Sequence, residues 1–225
     1  MTNISLLLMH RFDALFNNGA WDLIGDQIIP VDILGTEYIA IKGLATDERV
    51  YIVATENNTT YYLNGNSGST VNINAGQIQS YPISGNAIYI NSDKPIYVLH
   101  LSGHGTEIGD ALLPPIECTG SDRVGFVRTG GSGTFTVLVA TTVGNEGNFL
   151  VNGNGTTLQA AAFFPIPGNP NWVGAKLNLS QAQAPTGNNI IENTSGLFHL
   201  GILNQLGQSS EYGYFSSYSS LNLGT

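Results

Sequence analysis

Two stretches decide the fold: residues 49–55 are Arg49-Val-Tyr-Ile-Val-Ala-Thr55, and residues 136–141 are Thr136-Val-Leu-Val-Ala-Thr141. Both are runs of β-branched and aliphatic residues with the length of one strand. A run this continuously apolar is typical of a strand at the centre of a sheet, where both faces are covered. The two stretches therefore predict two central strands, 86 residues apart, in two copies of one unit.

Further segments recur in the same order. Gly35-Thr-Glu-Tyr-Ile-Ala40 returns as Gly120-Ser-Asp-Arg-Val-Gly125 at an offset of 85 residues, and Ile24-Gly-Asp-Gln-Ile-Ile-Pro30 returns as Ile108-Gly-Asp-Ala-Leu-Leu-Pro114 at an offset of 84. Near the end, Leu197–Ile202 resembles Pro95–His100 at an offset of 102. The growing offset predicts extra loop in the second copy, which we place at Pro165–Trp172 and Gln181–Asn189.

Turn residues separate the predicted strands. Asn64-Gly65 and Asn152-Gly153 lie between apolar runs at an offset of 88 residues, and both pairs suit the positive φ angles of a tight hairpin. A repeat of this length is too long for a solenoid turn or a propeller blade. We predict an all-β fold of two tandem, pseudo-repeated β-sandwich-like units packed together, the first over residues 1–116 with an N-terminal strand and the second over residues 117–225.

Composition agrees with this fold class and excludes several functions. The chain has 28 glycines, only 10% charged residues and a net charge of −9, so helices and nucleic-acid binding are both disfavoured. The single cysteine, Cys118, excludes an internal disulfide and is interpreted as a buried apolar residue. No apolar run is long enough to span a membrane, and the longest near the start, residues 4–9, contains Ser5.

The densest group of polar residues lies in the segment Leu99–Asp110. It contains His100, His104, Glu107 and Asp110, and imidazoles and carboxylates are ligands of zinc and other divalent ions. Glycines in the same segment break any helical zinc motif, so a polar loop between the repeats is the favoured interpretation. We expect no cofactor, with zinc or calcium as the alternative.

Asp26 and Asp110 occupy equivalent repeat positions, each after an Ile-Gly pair. A carboxylate retained in both copies is explained by hydrogen bonds to backbone N–H groups in a turn, or by an oxygen-ligand calcium site. Turn fixing is favoured, because no Asp-x-Asp-x-Asp-Gly loop occurs in the sequence.

Aromatic residues offer a second candidate site. Tyr212 and Tyr214 near the C-terminus and Trp172 are candidates for a ligand-binding platform. The two tyrosines alternate as a strand would, so packing of a last strand on the core is the favoured interpretation. A hydrolase is disfavoured as well, since no Gly-x-Ser-x-Gly nucleophile turn is present.

The sequence resembles the family of domains related to the N-terminal region of the IgG Fc-binding protein, as found in large surface proteins of Bacteroidetes. The resembling segments are Gly35–Gly43, Val53–Thr60, Asn74–Gln77, Ser92–Pro95, Leu113–Gly120 and Tyr212–Ser216. The resemblance implies an extracellular or cell-surface, non-enzymatic domain of a longer adhesive protein. It assigns no ligand-contact residues and does not imply that this copy binds antibody.

Together these features predict a non-catalytic binding or adhesion module. Its ligand, a glycan or a protein, would meet loops on the duplicated scaffold, beside neighbouring modules of a larger protein. The alternative is a structural spacer or assembly domain that binds nothing itself.

Overall fold

The computed structural model describes residues 26–117, 119–130, 133–207 and 209–215, together with two short paired strands, β1 (His10–Arg11) and β2 (Leu23–Ile24). The described residues form strands and two 3-10 helices, Val31–Ile33 and Ala160–Ala162, and no α-helix. The all-β prediction is therefore confirmed. Cys118 and the apolar run at residues 4–9 lie outside the described residues.

The first half of the chain forms two sheets that face each other. Its strands are β3 (Glu37–Ile41), β4 (Leu44–Ala45), β5 (Arg49–Ala54), β6 (Thr59–Leu63), β7 (Val71–Ile73), β8 (Ile78–Pro82), β9 (Ala87–Ser92), β10 (Ile96–Gly105) and β11 (Glu107–Leu112). One sheet has the order β3-β9-β6-β7 and the other the order β11-β10-β5-β8, with β4 added to β10 in parallel. We call this pair of sheets the first sandwich.

The second half repeats the arrangement. Its strands are β12 (Arg123–Arg128), β13 (Phe135–Thr142), β14 (Phe149–Val151), β15 (Phe163–Ile166), β16 (Asn169–Asn178), β17 (Gly187–Asn193), β18 (Phe198–Leu206) and β19 (Ser209–Tyr214). The sheet orders are β12-β17-β14 and β15-β16-β13-β18-β19. We call this pair the second sandwich. The predicted boundary at 116/117 falls in the linker between β11 and β12.

Alternating side chains build the two cores. In β5, Val50, Ile52 and Ala54 point into the first core. In β13, Phe135 and Val137 point with Val139 into the second core, where Phe149 and Phe198 are also fully buried. Each core forms because successive strand residues point to opposite faces, so that every second residue is removed from water.

The outer faces of two sheets also pack together. Ile39 and Ile41 of β3, with Ala87 and Tyr89 of β9, form one apolar cluster with residues of the second sandwich. The partners from the second sandwich are Leu138, Ala140, Ile166 and Leu203, with Phe164, Trp172 and Tyr212 packed against them. The apolar contact joins the two sandwiches into one body.

Seven strands have the same order in both sandwiches. In one sheet, the order β3-β9-β6 of the first sandwich corresponds to β12-β17-β14 of the second. In the other sheet, β8-β5-β10-β11 corresponds to β16-β13-β18-β19. The difference is the strand that follows β6 or β14, because β7 pairs with β6 whereas β15 pairs with β16. A duplicated unit would produce this common order of seven strands.

The alignment of the central strands needs a correction of one residue. An offset of 86 aligns Val50 with Thr136. Val50 points into the first core, whereas in the second sandwich Phe135 and Val137, the neighbours of Thr136, point into the core. Ala54 pairs with Ile96 in the first sandwich, and Thr141 pairs with Phe198 in the second. The matching offset for β5 and β13 is therefore 87 residues.

The two predicted Asn-Gly turns have the same geometry. Asn64 and Asn152 have φ angles of 52° and 51°, and the glycines that follow them have φ angles of 74° and 79°. Each asparagine donates its backbone N–H to the neighbouring strand and accepts a hydrogen bond on its side-chain oxygen, from the N–H of Tyr89 or Ile190. Asn152-Gly153 closes a tight bridge, whereas β7 begins only at Val71, so the first turn opens a longer loop.

One predicted loop is wrong. Residues 165–172 lie largely within the β15–β16 hairpin, whose register shifts between Pro165 and Ile166. Pro165 is accommodated because β15 is an edge strand, where a missing N–H removes no inner ladder bond.

Candidate functional site at the junction of the sandwiches

A groove opens where the linker between the sandwiches passes the start of β3. Its volume is about 280 Å³. Its walls come from the first 3-10 helix and the turn after it, the β9–β10 turn and the linker: Asp32, Ile33, Leu34, Gly35, Thr36, Pro95, Pro115, Glu117 and Thr119. We call this feature the junction groove.

Glu117 holds the two main walls together. Its carboxylate accepts hydrogen bonds from Thr36 Oγ1 at 2.6 Å and from the backbone N–H groups of Thr36 and Glu37, each at 3.1 Å. These bonds join segments about 80 residues apart in sequence. Charge-assisted bonds to an ionised acceptor are about twice as strong as neutral ones, so Glu117 fixes the linker against β3.

Buried contacts below the groove add rigidity. The Tyr38 hydroxyl accepts from Gly35 N–H and donates to the carbonyl of Ile96 at 2.7 Å. A Cβ atom at Gly35 would lie 2.5 Å from Pro115 and 2.4 Å from the Glu117 carboxylate, so a larger residue cannot stand there without displacing the linker. The groove therefore has a preformed shape.

The lining has a definite chemical character. Four aliphatic or proline side chains form the apolar part, and the two carboxyl groups of Asp32 and Glu117 form the acidic part. The hydroxyl groups of Thr36 and Thr119 are already bonded, to Glu117 and to the carbonyl of Pro115. None of the lining side chains is basic or aromatic.

A second group of polar residues is buried between the sandwiches. Glu48 and His100 are both fully buried, with Glu48 Oε2 3.4 Å from His100 Nε2. Glu48 also accepts hydrogen bonds from the N–H groups of Gly43 and Ala45 and from Ser102 Oγ. Burial alone would raise the pKa of the Glu48 carboxyl, but His100 and the two N–H groups together hold the pKa below its usual range.

This group ties β10 to the second sandwich. His100 Nδ1 lies 2.7 Å from the Tyr212 hydroxyl, and His104 Nδ1 lies 3.1 Å from Ser210 Oγ. Lys176 of the second sandwich donates to the carbonyl of Gly43 at 2.8 Å. Burial lowers the pKa of His104, partly offset by Glu48, and burial raises the pKa of Tyr212 well above its usual value.

His199 is buried in the same interface without a polar partner. Its ring lies 5.6 Å from the ring of Trp172 and 6.5 Å from that of Tyr214. Within the described part of the chain neither ring nitrogen has a hydrogen-bond partner, and burial lowers the pKa of His199 to about 4. The neutral imidazole is therefore the form that the fold accepts.

The strand register separates the predicted metal ligands. His100 and His104 share one face of the β10–β11 hairpin, and Glu107 pairs with His104. Asp110 pairs with Leu101 and so lies on the opposite face. Among the described residues, no group of three or more His, Cys, Asp or Glu residues lies close enough to hold a metal ion. The metal site stays a prediction without a supporting geometry.

Asp26 caps the edge of β11. Its Oδ2 accepts a hydrogen bond from the N–H of Leu112 at 2.8 Å, and its Oδ1 accepts one from the N–H of Gln27. The Asp26 carboxylate thus bonds backbone N–H groups, but its bond to Leu112 reaches the end of a strand rather than a local turn, and the shared role of Asp26 and Asp110 stays a prediction.

The predicted aromatic platform is divided among packing contacts. Trp172 and Tyr212 are half-buried against the apolar cluster between the sandwiches, and Tyr214 packs against the first core. Their positions correspond to the core interpretation, and their role as ligand contacts is untested.

Sequence reasoning did not identify the junction groove. Neither Glu117 nor Asp32 belongs to a sequence motif that predicts a site. The one local signal was Pro114-Pro-Ile-Glu117 in the linker, where two prolines stiffen the chain before a carboxylate.

Comparison with known proteins gives a family but no individual relative. The model of the family described as IgGFc binding protein matches residues 2–202. No curated protein and no solved structure gives a significant match. In the part of the chain that the structure describes, no helix has the length and apolarity needed to cross a membrane.

Proposed function

The chain belongs to the IgGFc binding protein family, and on that premise we propose that it is a non-catalytic module of an extracellular or cell-surface protein that binds a protein ligand at the junction groove. The observation that carries the proposal is the preformed groove, whose walls Glu117 locks together. A binding site with fixed walls loses little conformational entropy when a ligand binds.

The histidine contacts between the sandwiches, outside the groove lining, support recognition rather than catalysis. The nearest resemblance to a catalytic pair is His104 with Ser210, but His104 Nε2 has no hydrogen-bond partner among the described residues. No carboxylate therefore orients this histidine as a hydrolase triad requires.

The surface chemistry supports an extracellular location. Two neighbouring turns are joined by an asparagine network, Asn145, Asn148 and Asn193 with Ser195, rather than by ion pairs. We also propose that the chain is one module of a longer protein and lies beside other modules. The alternative of a spacer is favoured by the apolar contact between the sandwiches, which fixes their relative orientation.

Arrays of extracellular proteins and of glycans, probed with the labelled chain, test the proposal. We expect the chain to bind protein ligands on the array. The control variant Val127→Arg, altered on an exposed strand of the second sandwich, should still bind them. The variant Leu34→Arg, whose new side chain fills the groove, should lose them. Binding of glycans alone would contradict the protein-ligand proposal. Absence of any ligand on both arrays would favour the spacer.

A further inference from the structure

We propose that the junction groove takes the cationic side chain of an arginine or lysine that projects from the protein ligand. This inference rests on the proposed function and specifies the chemistry of its site. The partner surface would present one basic anchor residue, with the surrounding contacts excluding water.

The size of the groove suits one side chain. Its volume of about 280 Å³ is slightly below the roughly 300–1,000 Å³ of pockets that enclose whole small-molecule ligands. Anchor residues of protein interfaces fill pockets of this kind, and arginine is enriched among them. The methylene stem of such a side chain would pack on Leu34, Pro95 and Pro115.

The charge of the groove selects a cation. Asp32 is exposed, and Glu117 remains an acceptor because three hydrogen bonds leave part of its lone-pair capacity free. No basic side chain among the lining residues neutralises these two carboxyl groups. The net charge of −9 adds long-range attraction for a basic partner, which favours rapid association.

The same lining disfavours the other ligand class. Flat sugar rings are recognised by exposed aromatic faces, and none of the lining residues is aromatic. A cationic protein side chain is therefore the occupant that both the apolar and the acidic parts of the groove accommodate.

Nuclear magnetic resonance titration with a short peptide tests the inference directly. The probe is acetyl-Gly-Arg-Gly-amide, and its control is the same peptide with citrulline, which keeps the shape of arginine and removes the charge. We expect the arginine peptide to shift the backbone signals of residues 32–36 and Glu117, with a dissociation constant on the order of millimolar. The citrulline peptide should leave these signals unchanged.

Two matched variants locate the binding charge. Asp32→Asn should weaken the arginine peptide about threefold or more, because an attractive charge next to the cation is lost. Glu107→Gln removes one negative charge at the β10–β11 hairpin, away from the groove, and should leave the affinity unchanged. Thermal unfolding of both variants verifies that the fold is intact.

Equal shifts with both peptides, shifts that map elsewhere, or equal affinity for Asp32→Asn would overturn the inference. Failure of the inference is distinguishable from failure of the proposed function. A protein ligand from the array that binds Asp32→Asn as tightly as the unaltered chain would retain the module and refute the basic anchor. Peptide binding at the groove, with no ligand on either array, would support the basic-anchor inference and count against the proposed binding of a protein ligand.

Discussion

At the scale of single residues, Arg128 shows how this charge-poor chain uses a buried cation. The guanidinium donates to the carbonyls of Gly130, Gly133, Leu179 and Ala184, and it lies 5.0 Å from the centre of the Phe135 ring. Burial lowers the pKa of Arg128, and the planar fork of five N–H donors is what lets one side chain serve four carbonyls. One residue thus fastens two loops of the second sandwich.

Replacing Arg128 by alanine should lower the free energy of unfolding by about 2–4 kcal/mol, because several buried carbonyls lose their donors at once. Arg123→Ala is the control on the same strand, since Arg123 is exposed and its contact with Glu192 measures 3.7 Å. The control should change stability by less than about 0.5 kcal/mol. Urea denaturation measures both, and equal effects would show that Arg128 does not fasten these loops.

His199 makes the stability depend on pH. Its pKa is about 4 in the folded chain against 6.5 for an unperturbed histidine, so the unfolded chain binds the extra proton between these values. Stability should be constant above about pH 6.5 and fall below it, by at most about 3 kcal/mol from this residue.

The variant His199→Phe should flatten the decline between pH 6.5 and pH 5, because the apolar ring cannot be protonated. A smaller pH dependence of stability should remain in this variant, because the pKa of His104 is also lowered. Measurements stay above pH 5 so that Glu48, with its lowered pKa, remains ionised. A slope identical to that of the unaltered chain would exclude His199 as its source.

At the scale of elements, the stability cost of a left-handed turn conformation can be measured where an added Cβ atom causes no steric clash. Gly153 has a φ angle of 79° and Gly147 has no positive φ, while a Cβ at either would meet no atom within 4 Å. Gly153→Ala should cost about 1–2 kcal/mol for the left-handed conformation. Gly147→Ala should be neutral or slightly stabilising. Thermal unfolding of both variants measures the difference, and equal midpoints would refute the turn geometry.

Many of the strands could be predicted from the sequence, but the order of the strands in the sheets and the exact alignment of the repeats could not. Outer residues of the central strands are apolar as well. Leu138 in β13 packs in the cluster between the sandwiches, and Tyr51 in β5 packs against apolar side chains of its own sheet. Between Val50 and Ala54, and between Val137 and Ala140, no charged or amide side chain marks which face points inward. The junction groove was hidden for a related reason, since Glu117 meets Thr36 only through the tertiary fold.

At the scale of the whole molecule, a close approach of two turns helps to fix how the sandwiches meet. A Cβ at Gly168 would lie 2.0 Å from the backbone carbon of Asn64, and a Cβ at Gly65 would lie 2.7 Å from the Gly168 Cα. The turn of one sandwich therefore touches the turn of the other with space for hydrogen atoms only.

Gly168→Ala should destabilise the chain more than Gly153→Ala, although both glycines have positive φ angles of 75° and 79°. The excess, about 1–3 kcal/mol, is the cost of pushing backbone apart at the interface. Urea denaturation compares the two variants. Equal losses would mean that the two turns are not in contact.

The central claim is that the junction between the sandwiches is the binding surface. Hydrogen–deuterium exchange of the chain, alone and with a protein ligand identified on the array, tests it most directly. The account predicts slower exchange at residues 32–37 and 116–117 on binding, with unchanged exchange in strands β12, β17 and β14. Protection confined to those three strands, with none at the junction, would contradict it.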